Sequence, residues 1–198
     1  MALDALNDPR WKAFNERGFA CACGERHAGL FPINIHHPIG WPGANDYAPD
    51  DALRLDGNFL SANFCVWDGK YFAMRMRLPV VIRGAAPWAF MFTVWASLNK
   101  ADFEGYIDAW RNKRFNPAAR APARLVNRLN VYPNTHNLMG SAFQQEDDGP
   151  PILLIHGPQP DNVGDHPLIA DQRHGIGMDR VLELFASYGH EMRAEAGA

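Results

Sequence analysis

The sequence predicts an α+β fold whose sheet is largely antiparallel and built from hairpins. Apolar residues alternate with period two on both sides of a short turn near residue 68. A nearly continuous apolar run at 88–98 then leads directly into an amphipathic helix. Because helical patterns lie between or after pairs of strands, and do not alternate with single strands, we expect α+β architecture.

One globular domain is expected from length and composition. The chain has 198 residues, of which 47% are hydrophobic and 21% charged. No apolar run approaches the roughly 18 residues that a membrane span needs. The first nine residues hold two acids and no apolar core, which argues against a secretory signal and favours the cytoplasm.

The predicted domain is flanked by two short segments. Residues 1–18 are expected to form a helical arm, in which Asp8 caps a short helix and Pro9 occupies its first turn. Residues 19–190 form the single α+β domain, and residues 191–198 a frayed tail.

The clearest strand patterns lie between residues 59 and 83. Their alternating apolar sets are Leu60, Ala62, Phe64 and Val66, then Phe72, Met74, Met76, Leu78, Val80 and Ile82. Both sets are even-numbered, so they share one face of a sheet only if the connecting loop has odd length. Trp67-Asp68-Gly69 meets this condition as a three-residue loop with Gly69 in the left-handed position.

The rest of the chain predicts one central strand, one central helix and a C-terminal helical pair. Residues 88–98 are apolar on nearly both faces, as in a strand covered on both sides. Asn99 is placed to cap the following helix. Two further strands are expected at 138–144 and 151–156, and the two last helices begin at Asp165 and near Met178.

A long segment rich in proline and glycine, residues 28–57, is a candidate binding loop or lid. His36 and Trp41 are its candidate ligand-binding residues. On the neighbouring sheet face the candidates are Asn63, Tyr71, Arg75 and Arg77, because a guanidinium group binds a carboxylate or phosphate in a bidentate manner. The alternative is that these arginines form the solvated face of a half-buried sheet.

The charge distribution is uneven. Residues 109–145 contain no acid and six basic residues, although the chain as a whole has a net charge of -3. This stretch could meet an anionic ligand or the acidic remainder of the same chain. We expect no nucleic-acid partner, because the overall balance is acidic and no nucleic-acid-binding motif is present.

The densest group of reactive side chains is a candidate zinc site. Cys21, Cys23 and His27 supply the thiolate and imidazole ligands that zinc prefers, and Gly24 allows the chain to turn between them. Cys65 is the first candidate for a fourth ligand, followed by His36 or His37. The alternative is a pair of reduced cysteines beside a hydrogen-bonded histidine.

Several segments in this order resemble a bacterial family of unknown activity, domain of unknown function 2199. They are the Cys21-x-Cys23-Gly24-x-x-His27 opening, residues 63–66, residues 90–98, and residues 166–176. The resemblance implies a soluble bacterial protein and no particular activity.

We therefore expect a non-catalytic, cytoplasmic binding or regulatory protein with a structural zinc ion. Its partner would be a small molecule or a protein, with no role for nucleic acid or membrane. A small metal-assisted hydrolase or transferase is the first alternative, and a partner module of the antitoxin or immunity type is the second. The sequence lacks the phosphate-binding, nucleophile-elbow and His-Glu-x-x-His motifs that would favour an enzyme.

Overall fold

The computed structural model describes residues 5–43, 46–156 and 166–193. Over these residues the fold is α+β, as predicted. The elements are α1 (Pro9–Lys12), β1 (Phe19–Ala20), β2 (Arg26–His27), β3 (Ile33–Asn34), β4 (Phe59–Leu60), β5 (Phe64–Trp67), β6 (Tyr71–Val81), β7 (Ala89–Leu98), α2 (Lys100–Arg111), β8 (Arg120–Leu125), β9 (Met139–Phe143), β10 (Ile152–Ile155), α3 (Pro167–His174) and α4 (Met178–Ser187). In this part of the chain, no helix has the length and apolar character needed to cross a membrane.

The main sheet closes on itself. Strands β6, β7, β8, β9 and β10 pair in that order, and β10 pairs back with β6 to form a five-stranded barrel. Strands β5 and β4 extend the sheet from β6, and β3 is added to β7. All pairs are antiparallel except β10–β6 and β3–β7. Strands β1 and β2 form a separate two-stranded sheet.

The β6–β7 hairpin supplies most of the barrel core. It pairs from Phe72↔Leu98 to Val81↔Ala89 in an unbroken register. The even-numbered residues of both strands are buried, which confirms the predicted period-two pattern. Trp88, which begins the apolar run of the sequence, lies just outside β7 and is 54% exposed.

The loop between β5 and β6 has the predicted odd length but lies one residue later. Trp67 pairs with Tyr71, so the three loop residues are 68–70. Asp68 and Gly69 have φ angles of 55° and 61°, the left-handed conformation that tight hairpin turns require. Because the loop length is still odd, even-numbered residues of the two strands pair, and Phe64 and Val66 share the buried face with Phe72.

The single strand predicted across Leu60–Val66 is wrong, because a turn divides it into β4 and β5. The Ser61 Oγ accepts a hydrogen bond from the Phe64 N–H at 3.0 Å, which stabilises that turn. Leu60 consequently packs on the opposite face from Phe64, beside Cys65, and Ala62 is exposed. Apolar residues alternate in the sequence through this turn although the chain is not one continuous strand there.

Helices α2 and α4 pack aromatic residues against the β6–β7 hairpin. The Asn99 side chain caps α2 by accepting from the Asp102 N–H at 2.9 Å, as predicted. Phe103 of α2 packs on Phe72 with ring centroids 5.4 Å apart, and Phe185 of α4 packs on Phe90 at 5.0 Å.

The boundaries at the C-terminal end differ from the prediction. Asp165, the predicted start of α3, lies outside the described residues, and the His166 side chain caps α3 by accepting from the Leu168 N–H at 3.1 Å. Residues 191–193, predicted to fray, pair with the N-terminal segment: the Ala22 N–H donates to the Glu191 carbonyl at 2.9 Å. The two ends of the fold are thereby brought together.

One side chain completes the barrel where β6 and β10 diverge. Their ladder has a single pair, Ile152↔Arg77. Beyond it, Gln172 of α3 donates through Nε2 to the Pro79 carbonyl at 3.0 Å and to the Leu153 carbonyl at 3.3 Å. Its Oε1 accepts from the Ile155 N–H at 2.9 Å. Gln172 therefore replaces the missing ladder hydrogen bonds.

We expect Gln172→Glu to lower the free energy of unfolding by about 1–3 kcal/mol, because a carboxylate cannot donate to the two carbonyls. Urea denaturation at neutral pH measures this. Gln145→Glu is the matched control, since among the described residues the Gln145 side chain donates to one carbonyl, that of Phe143 at 3.3 Å. Equal effects of the two substitutions would contradict the closing role of Gln172.

Candidate metal centre

The β1–β2 hairpin places three of the predicted metal ligands together. Cys21 and Cys23 lie in the loop between the strands, and His27 ends β2 opposite Phe19. The Cys21 N–H donates to the Glu25 carbonyl at 2.9 Å, and the Gly24 N–H donates back to the Cys21 carbonyl at 3.0 Å. Gly24 has a φ of 96°, so a glycine is needed to turn the chain here.

A fourth donor comes from the other end of the chain. The ligand atoms of Cys21, Cys23, His27 and His190 all lie within 4.8 Å of one another. The Cys21 Sγ is 3.6 Å from the His190 Nδ1, and the Cys23 Sγ is 3.2 Å from the His27 Nε2. Tetrahedral zinc with ordinary bond lengths separates a sulfur and a nitrogen ligand by about 3.6 Å. The cluster therefore has nearly the dimensions of a zinc site.

His190 is held in position by the end of α4. Its N–H donates to the Phe185 carbonyl at 2.9 Å, and Gly189 precedes it with a φ of 82°. The His190 ring lies 4.9 Å from Phe31 and 5.2 Å from His27, centroid to centroid. Both histidine rings are partly buried by these contacts. A lone histidine 163 residues after His27 carries no spacing pattern that would identify it as a ligand.

Cys65, predicted as the fourth ligand, is not part of this cluster. It pairs with Ala73 across β5 and β6 and is 3% exposed. It packs with Leu60, Ala73 and Trp95 in a separate apolar group, where burial raises the pKa of its thiol to about 12. His36 and His37, the other predicted candidates, also lie outside the group of four.

The surroundings of the two clustered thiols shift their pKa values in opposite directions. The Glu25 N–H, and then the side chains of Cys21 and His27, lower the pKa of Cys23 to about 6. Burial raises the pKa of Cys21. Two sulfur and two nitrogen donors suit a borderline-soft ion such as zinc better than magnesium or calcium.

The predicted ligand-binding residues are engaged with the long loop. The Arg75 guanidinium lies 5.6 Å from the Tyr47 ring and 5.4 Å from the Trp95 ring, and its Nη2 donates to the Tyr47 hydroxyl at 2.9 Å. The Tyr47 hydroxyl in turn donates to the His36 carbonyl. The structure therefore places Arg75 and His36 in one group, as contacts that hold the loop on the sheet.

The other four predicted ligand-binding residues lie around the group formed by Arg75, Tyr47 and His36. The Asn63 Nδ2 donates to Asp50 at 2.6 Å, and Trp41 packs on the apolar group that contains Trp95. Tyr71 is 64% exposed, and Arg77 lies opposite Thr93 on the half-buried outer face of the barrel.

Comparison with known proteins identifies a family and no activity. A family model described as an uncharacterized protein conserved in bacteria, DUF2199, matches residues 20–176. The matched range includes Cys21, Cys23 and His27 and ends before His190. The chain matches no curated protein and no solved structure.

In metal-free protein we expect iodoacetamide to modify Cys23 first, because only the thiolate reacts. The rate at Cys23 should rise with pH through about 6 and then level off, whereas Cys65 should stay unmodified until the protein unfolds. Peptide mass spectrometry after timed alkylation measures both rates. Modification of Cys65 at the same rate as Cys23 would contradict this assignment.

Proposed function

The chain belongs to the bacterial family DUF2199, and we propose that it is a non-catalytic, cytoplasmic binding or regulatory protein with a structural zinc ion. One observation carries the proposal: Cys21, Cys23 and His27 from the N-terminal hairpin meet His190 from the segment after α4. The ion would join the two ends of the fold.

A structural role is favoured by the number of protein donors. Four side chains complete the tetrahedral coordination of zinc, whereas catalytic zinc has three protein ligands and an open position for water. Cys21 is 1% exposed, so one side of the centre is closed by protein. Within the described part of the chain this is the one group of three or more metal-ligating side chains. In a metal-assisted hydrolase or transferase, one of the four coordination positions at this centre would have to be open to water.

The position of the ligands also indicates what the ion would stabilise. Cys21 and His190 are separated by 169 residues, and backbone pairing between 20–22 and 191–193 already joins the same segments. Zinc binding would stabilise the folded state and not the unfolded state, because the unfolded chain holds no preformed site. The free thiols of Cys21, Cys23 and Cys65 are compatible with a reducing compartment such as the cytoplasm.

Elemental analysis of protein purified without an affinity tag should find about one zinc ion per chain. Cys21→Ser and His190→Ala should each lose the ion, since each removes one of the four donors. At free zinc about 1,000 times Kd the ion contributes about 4 kcal/mol. At about 2–4 °C per kcal/mol, its loss should lower Tm by about 8–16 °C.

Cys65→Ala is the control, because Cys65 is a cysteine of the same chain that lies in a separate apolar group. This variant should retain the zinc ion. Loss of zinc without a fall in Tm would contradict the structural role, and wild-type protein free of metal would contradict the centre itself.

A further inference from the structure

The outer surface of the barrel is exposed where β8, β9 and β10 lie side by side. Over β6 and β7 the proline-rich segment packs on the outer surface, with Tyr47 against the Arg75 guanidinium. Over β8 to β10 the outward side chains of β8 are exposed, and Leu154 of β10 is 39% exposed. We define this second area, the β8–β10 face, by the outward residues Arg120, Pro122, Arg124, Ser141, Phe143 and Leu154.

The strand register fixes the arrangement of the β8–β10 face. Arg120 lies opposite Phe143, and Pro122 lies opposite Ser141, which in turn lies opposite Leu154. The intervening residues of β8 and β10 point to the barrel side, because side chains alternate along a strand. Pro122 and Leu154 therefore flank Ser141 in the middle of the face, and an arginine lies on β8 to either side of Pro122.

The middle of the face offers apolar surface. Pro122 is exposed, and so is more than a third of Leu154. Ser141, between them, already shares a hydrogen bond with the His156 ring, with its Oγ 3.0 Å from Nε2. An exposed apolar area bordered by charged residues is typical of a protein interaction site.

The charges that border the apolar middle are both positive. Arg120 and Arg124 are exposed and lie four residues apart on β8, so about 13 Å separates their Cα atoms. Lys113, from the same acid-free stretch 109–145, pairs with Asp148 at 2.8 Å. Within the described ranges, Arg120 and Arg124 form no ion pair with a carboxylate. A complementary partner would carry negative charges at this spacing.

The composition of the face favours a protein partner over a nucleic acid. Single-stranded nucleic acid binds to exposed aromatic rings on which successive bases stack. The aromatic ring of this face, that of Phe143, already contacts the Arg120 guanidinium, 5.1 Å from the ring centroid. The chain has a net charge of -3, which gives no general attraction for a polyanion. Proline and leucine instead match an aliphatic side chain.

We propose that the β8–β10 face docks an acidic segment of a partner protein. Two carboxylates of the segment contact Arg120 and Arg124, and an aliphatic side chain between them packs on Pro122 and Leu154. In an extended segment the side chains of residues i, i+2 and i+4 point to one side, and their spacing equals that along β8. This partner class rests on the proposed binding function and does not depend on the zinc ion.

An NMR titration of the isotope-labelled full chain with the capped peptide Glu-Ser-Leu-Ser-Glu tests the proposal. The peptide should cause saturable shifts centred on the amides of β8, β9 and β10. Gln-Ser-Leu-Ser-Gln, which lacks the charges, and Glu-Ser-Ser-Ser-Glu, which lacks the aliphatic side chain, should each bind more weakly. Higher salt should weaken binding of the charged peptide, because exposed ion pairs are screened.

Variants of the face identify the contacts. Arg120→Gln and Arg124→Gln should each weaken binding of Glu-Ser-Leu-Ser-Glu by about two- to fivefold, the usual size of one exposed ion pair. Leu154→Thr should also weaken it, since threonine preserves strand propensity but removes apolar surface. Arg111→Gln is the matched control, because it removes an equal charge of the acid-free stretch from α2, and binding should be unchanged.

Three results would each overturn the proposal. They are equal binding of the charged and uncharged peptides, shifts centred outside β8 to β10, and tighter binding of a short oligouridylate than of the acidic peptide. Zinc content and Tm, measured on the same samples, report on the metal centre separately. Failure of the docking face would leave zinc content unchanged, and absence of zinc would leave peptide binding unchanged, so the two failures are distinguishable.

Discussion

The uninterrupted pairing of β6 with β7 is the constraint on which the rest of the fold depends. Ten consecutive residue pairs fix which side chains of both strands face inwards, since a slip of one residue would exchange the faces. The other barrel strands are added to the two edges of this hairpin, and β10 returns to β6 to close it. α2 and α4 pack their aromatic residues on the buried face that this register defines.

The same register explains why the long proline-rich segment lies against the barrel. Outward-facing Trp95 leaves an apolar area beside Arg75 that needs a cover, and the segment supplies Tyr47 and Trp41. Backbone hydrogen bonds secure it, including the Ile35 N–H to the Thr93 carbonyl and the Ile39 N–H to the Val126 carbonyl, both at 2.9 Å. Arg75 is then a cation stacked between aromatic rings, with its charge in favourable contact with both π faces.

The metal centre is formed by segments outside the barrel, the β1–β2 hairpin and the segment after α4. The four donors lie where the β1–β2 hairpin meets the segment after α4, beside the rings of Phe31 and Phe185, and an ion there would act on stability.

The local features of this protein were determined by the sequence alone. The period-two runs of β6 and β7, the Asn99 cap, the helical pair at the C-terminus and the Cys21-Cys23-His27 cluster depend on residues within a few positions of one another. Sequence patterns report such short-range preferences well. The turn at Ser61 was missed because the apolar alternation continues across it.

The remaining features were decided by the tertiary structure, because they join residues that no local pattern links. His190, and not Cys65, completes the cluster since the end of α4 passes beside the β1–β2 hairpin, whereas β5 buries Cys65 elsewhere. Gln172 closes the barrel from a helix for which the sequence predicts only the start and the end. Convergence of distant side chains depends on the path of the whole chain, and that path is set by packing over the entire core.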